Sequence, residues 1–123
     1  MSIKYKDIER INSEVNANSI YKTDMEIYGI PENWTTGNLY KDCEDYALTK
    51  RKMLLELGMK PIDVCITLCW IESGEYHAVL YVQLPDGAYI LDNRYDWPMK
   101  PSELPYKWDK MLSLNKWYEV KGF

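Results

Sequence analysis

The spacing of apolar residues divides this chain in two: helical spacing holds up to Leu57, and alternation takes over after Val64. Tyr5, Ile8, Ile11 or Asn12, and Val15 recur at helical intervals with charged residues between them, which predicts an amphipathic helix ending among Asn16, Asn18 and Ser19. From Tyr21 to Tyr40 no period holds, and Gly29, Pro31 and Gly37 mark a long connection of the kind that small domains often use for function. A second helix is predicted from Asp42 to Leu57, with Asp42 as N-cap, Gly58 as the stop and Pro61 beyond it. Cys43, Ala47, Leu54 and Leu57 share one face of that helix, flanked by Tyr46 and Met53. Lys50 interrupts the stripe and must snorkel, pair or sit at an edge.

Alternation then predicts strands over Val64 to Ile71, Tyr76 to Leu84 and Ala88 to Asp92, joined by turns at Glu72-Ser73-Gly74-Glu75 and Pro85-Asp86-Gly87. Pro98, Pro101 and Pro105 enforce a winding connection, after which Tyr106 to Met111 and Trp117 to Val120 add one or two further strands. Helices first and an antiparallel meander after make an α+β fold. With 123 residues and no internal repeat, a single domain spanning 1–123 is expected.

A net charge of -4 with no basic tract argues against nucleic acid as a partner, and no apolar run is long enough for a membrane span. Met1 leads directly into a polar segment without a signal region, so a cytoplasmic location is expected. Cys43, Cys65 and Cys69 form an odd set without the dense spacing of a disulfide framework, and structural zinc lacks its usual paired ligands. Cys65 and Cys69 alternate with Ile66, Leu68 and Trp70 in an apolar strand and read as inert core.

Cys43 stands apart because it falls at a predicted helix start, where free N–H groups and the macrodipole favour a thiolate. The one histidine, His77, opens a following strand and is the natural base. A tight hairpin closing Leu84 on Gly87 sets Asp92 opposite Val79, on the same sheet face as His77 and within reach of its ring. The residues point to a thiol nucleophile, a base and an orienting carboxylate, in the order Cys, His, Asp.

The run Asp42-Cys43-Glu44-Asp45-Tyr46-Ala47, the strand His77-Ala78-Val79-Leu80, the strand end Leu91-Asp92-Asn93 and the upstream Trp34-Thr35-Thr36 resemble the LapG-like bacterial transglutaminase-like cysteine peptidases. The resemblance spans roughly Asn33 to Asn93, about half the chain. It implies a papain-like, transglutaminase-type core, with the nucleophile helix packed on an antiparallel sheet and Cys43, His77 and Asp92 as the triad. A peptidase or amidase acting on a protein or peptide substrate through a thioester is the leading expectation. A transglutaminase or glutamine deamidase with the same residues, or a non-catalytic binding module, is the alternative. The Cys43 amide is a natural oxyanion donor, and by resemblance the Trp34 indole is the second. No cofactor is needed for this chemistry. The acids beside Cys43 oppose its ionisation, however, and the resemblance implies that Asp42 and Glu44 hold a calcium ion that compensates.

Overall fold

The computed structural model describes residues 3–18 and 38–123, and for positions 18 and 38–42 it describes the backbone alone. Among these residues, two helices, α1 (Tyr5–Asn18) and α2 (Asn38–Glu56), precede five strands: β1 (Val64–Trp70), β2 (Tyr76–Leu84), β3 (Gly87–Leu91), β4 (Lys107–Ser113) and β5 (Lys116–Glu119). Short 3-10 turns at Pro61–Asp63 and Pro101–Glu103 follow lysines in extended conformation, and each begins at a proline whose fixed φ suits a first helical position.

Helix α2 begins at Asn38, one turn before the expected Asp42. Its C-terminus behaves as its sequence requires. Gly58 takes φ +104°, its amide donates to the Leu55 carbonyl at 3.0 Å, and the Met59 amide reaches back to Leu54 at 3.1 Å. That is a Schellman stop, in which the left-handed position favours glycine.

All strand pairings are antiparallel, in the order β3-β2-β1-β4-β5. The expected meander holds only for β1, β2 and β3. The chain then crosses back through the proline-rich segment so that β4 pairs with the free side of β1. This explains why Val64-Cys65-Ile66-Thr67-Leu68-Cys69 is buried without a break: a central strand covered on both faces is apolar along most of its length, and the one hydroxyl, on Thr67, donates to the Cys65 carbonyl. Strand β5 lies at the outer edge and all four of its residues are exposed.

The β2–β3 hairpin keeps the register that closing Leu84 on Gly87 requires, pairing Leu80 with Leu91 and Tyr81 with Ile90. Extended by one residue, this sets Asp92 beside Val79, as the sequence predicts. Alternation then sorts the core into two clusters. Ile8, Ile11, Val15, Cys43, Ala47 and Leu54 from the helices meet Val64, Ile66, Leu68, Ala78, Leu80 and Val82. Cys69, Val79 and Ile90 point the other way and pack with Leu104 and Tyr106. No described helix is long and apolar enough to cross a membrane.

Leu80 is fully buried between the helices and the sheet. Leu80→Ala is expected to lower unfolding free energy by about 2 to 5 kcal/mol in denaturant titration, with an unchanged m-value showing that only packing was lost.

Candidate active site

Cys43, His77 and Asp92 meet where the two core clusters adjoin. Helix α2 brings Cys43 from the first cluster. Strand β2 contributes His77, and the end of β3 contributes Asp92, beside Val79 and Tyr106 of the second. The Cys43 Sγ lies 2.7 Å from His77 Nδ1, and His77 Nε2 lies 2.8 Å from Asp92 Oδ1. All three side chains are buried, with exposures of 0% for Cys43 and His77 and 1% for Asp92.

An ionised carboxylate this deep must be satisfied by donors. Asp92 Oδ1 accepts from His77 and from the Arg94 backbone N–H at 3.0 Å, while Oδ2 accepts from the Tyr106 hydroxyl at 2.5 Å. Burial pushes the Asp92 carboxyl up. The hydrogen bond and charge of His77, followed by Tyr106 and the Arg94 amide, outweigh it and hold the carboxyl below its ordinary value. Tyr106 is driven the other way by burial and by the Asp92 charge, so it stays protonated and remains a donor. Arg94 in turn donates to the Tyr106 oxygen at 3.0 Å and grips Glu72 through two nitrogens at 2.8 and 3.2 Å, which ties the turn before β2 to the carboxylate's surroundings.

From the other side, α1 clamps the segment that carries Asp92. The Asn16 side-chain amide donates to the carbonyls of Asp92 and Tyr95, at 3.1 and 2.9 Å, and Asn12 donates to the same Tyr95 carbonyl at 2.9 Å. These two asparagines, with Tyr106 and Arg94, are site residues that the sequence reading did not assign. Only the asparagines left a signal, as polar residues on the apolar face of α1.

Cys43 is the sixth residue of α2, not its first. The free amides and most of the dipole field belong to the first turn, so neither the expected dipole effect nor an oxyanion role for the Cys43 amide follows from this position. Lys50 also departs from expectation. It neither snorkels nor sits at an edge, its exposure is 0%, and its Nζ has no hydrogen-bond partner among the described residues. Cys65 and Cys69 are buried, donate to the Ile62 and His77 carbonyls, and are pushed up by burial, as suits inert core thiols.

Trp34 and the Asp42 side chain lie outside the described residues. Glu44 is half-buried on α2. Among the described residues, no three His, Cys, Asp or Glu side chains gather into a group that could hold a metal ion. Calcium takes about six to eight oxygens, so the described side chains do not make a calcium cage by themselves.

A family model described as bacterial transglutaminase-like cysteine proteinase (BTLCP) matches residues 2–122. This chain belongs to that family. Among solved structures, Legionella pneumophila LapG is similar, with 21% identity and a TM-score of 0.66 over 94% of this chain and 68% of its own. The calcium-bound form of that protein aligns with 21% identity and a TM-score of 0.66, over 94% of this chain and 70% of its own. For its EGTA-treated form the figures are 20% and 0.66, over 93% and 66%. Among curated proteins, none matches the chain significantly. The protein is thus a cysteine proteinase family member with the transglutaminase-like α+β fold, in which the described residues form two helices on a five-stranded antiparallel sheet.

Removing the Tyr106 hydroxyl leaves Asp92 Oδ2 without its donor. Tyr106→Phe is expected to cost about 1 to 3 kcal/mol at pH 7 by chemical unfolding. Because the Asp92 carboxyl is held low in the folded state, its stabilisation is present above the unfolded value and lost as pH falls through the folded one. The deficit of the variant should therefore shrink as the pH drops below about 4.

Proposed function

We propose that Cys43, His77 and Asp92 are a catalytic triad that hydrolyses peptide or amide bonds in a protein substrate through a thioester. The supporting observation is the unbroken relay from Sγ to Nδ1 and from Nε2 to Oδ1, at 2.7 and 2.8 Å. An ionised Asp92 can only accept, so it fixes a proton on Nε2 and leaves Nδ1 to take the thiol proton. The resulting thiolate attacks the carbonyl carbon, and the C–S bond forms as the carbonyl oxygen takes up charge. His77 then passes its proton to the leaving nitrogen as the C–N bond breaks. Water, losing its proton to His77, attacks the thioester; the acid product departs and the proton returns to sulfur. With the Cys43 amide inside the helix, the Trp34 indole N–H is the proposed oxyanion donor.

Alkylation of Cys43 by iodoacetamide near pH 6 tests the nucleophile. Wild type should outpace His77→Ala by tenfold or more, on the order expected of a paired base. Removing the imidazole 2.7 Å from the sulfur opens access to the thiol, so a faster wild type reports activation of the sulfur and not its exposure. Equal rates would remove the triad. Mass spectrometry of proteins incubated with the enzyme then separates the acyl acceptors: new chain termini support hydrolysis, whereas crosslinks or single-unit mass gains without cleavage would replace it with transamidation or deamidation.

Calcium is proposed as a ligand at Asp42 and Glu44, because one similar structure is described as calcium-bound. Calorimetric titration of the EGTA-stripped protein should show one site that Glu44→Gln weakens at least tenfold, the loss of one charged ligand. Absence of any heat or thermal shift with calcium would rule the site out.

A further inference from the structure

Among the described residues, the lysine that interrupts the apolar face of α2 is a buried cation with no task in the chemistry above. Lys50 lies two turns beyond Cys43 on the same face, between Ala47 and Leu54, and all of these are 2% exposed or less. Its ammonium makes no hydrogen bond among the described residues, and the Tyr46 ring, one turn back, has its centroid 5.8 Å away. A cation placed like this opposes folding unless a negative charge balances it.

The candidate triad supplies that charge. With thiol and imidazole neutral, the set carries the single negative charge of Asp92; with the proton moved from sulfur to His77, the total is unchanged. A buried site of net charge -1 attracts a nearby cation in either form. Arg94 is poorly placed to be that cation, because it is 30% exposed and already paired through two nitrogens with Glu72. On Lys50, by contrast, Asp92 from the end of β3 and Cys43 from its own helix both act to hold the proton. Helix α1, whose apolar residues share the same core cluster, carries the neutral Asn12, fully buried, and the half-buried Asn16.

We propose that Lys50 is a positioning residue whose buried ammonium is the counter-charge of the Cys43, His77 and Asp92 set and governs how tightly His77 holds its proton. The inference rests on the triad reading above, but its test does not require the protein to cleave anything. Burial drags Lys50 down to about 7 against the pull of Asp92 and Cys43, so the charge is present on the acid side of neutrality and is shed on the alkaline side.

His77 is the chain's single histidine, so its imidazole resonances can be followed by NMR without an assignment problem. In a Cys43→Ala background, which removes the thiol titration from both arms, Lys50→Met deletes the charge and keeps the length of the side chain. Loss of a nearby cation favours imidazolium, and the His77 midpoint is expected to rise by about one pH unit at an effective dielectric near 20. Lys50→Arg, which keeps the charge, should titrate like its parent. Thermal melting supplies a second reading. Lys50→Met should melt higher than its parent below about pH 7, and the gain should shrink as pH rises from there toward the ordinary lysine range, because only the acid-side state buries a charge. A His77 midpoint that Lys50→Met leaves in place overturns the proposal, as do equal shifts in the Met and Arg variants, which would assign the effect to packing. A Lys50→Met chain that fails to fold counts against it too. Failure of the triad reading would show separately, as a Cys43 that labels no faster than it does in His77→Ala.

Discussion

A carboxylate with almost no exposed surface organises this protein. Asp92 can stay ionised only if donors replace the water it has lost, and each donor comes from a different part of the chain: His77 from β2, the Arg94 amide from the turn after β3, and Tyr106 from just before β4. Meeting that requirement fixes the spacing of three segments at once. Arg94 extends the network to Glu72 before β2, and Asn16 ties the Asp92 carbonyl to α1. The proline-rich crossover that returns the chain to the far side of β1 has a function in this light, since it delivers Tyr106 to the second oxygen of Asp92.

The geometry at sulfur depends on the same constraint. An imidazole free to turn would present either nitrogen to the thiol, but a carboxylate that only accepts binds the protonated Nε2 and leaves Nδ1 facing Cys43. The Tyr106 ring packs edge-on against the imidazole, at 5.8 Å between centroids. Tyr106 thus acts twice, through its hydroxyl on Asp92 and through its ring on His77. A protein assembled this way has little reason to rely on the helix dipole, and Cys43 sits a full turn inside α2.

Much of this was legible in the sequence because two simple periods carry it. Alternation gave β1 to β3, and a two-residue turn set their register, so the pairing of His77 with Asp92 followed from numbering alone. What alternation cannot reveal is which edge of β1 a later strand takes, and the place of β4 therefore needed the structure. The start of α2 lies a turn before Asp42 because Asp42 and Asn38 both have the chemistry of a cap, and spacing alone does not choose between them. Tyr106 and Arg94 left no trace, since a tyrosine after a proline and an arginine in a turn look like ordinary surface residues until the fold brings them to a buried acid. Asn12, Asn16 and Lys50 are different. Each broke an apolar helical face, and each break marked a polar group in contact with the site's backbone or within range of its charge.

Those breaks argue for a general reading of this core. Asn12 and Asn16 bury amides whose oxygens have no partner among the described residues, and Lys50 buries an ammonium in the same condition. Each of the three leaves a buried polar atom without a partner among the described residues, a cost that an apolar side chain does not carry. Stability alone therefore does not account for them. Asn12 and Asn16 hold the backbone on which Asp92 rides, and Lys50 meets the charge that Asp92 brings inside. The depressed carboxyl and the depressed lysine then define opposite limits. As pH falls Asp92 takes up a proton and the site loses its acceptor, and as pH rises past about 7 Lys50 gives one up and the site loses its counter-charge. Between those limits the buried charges cancel, and the proton shared by Cys43 and His77 can move without changing the net charge of the interior.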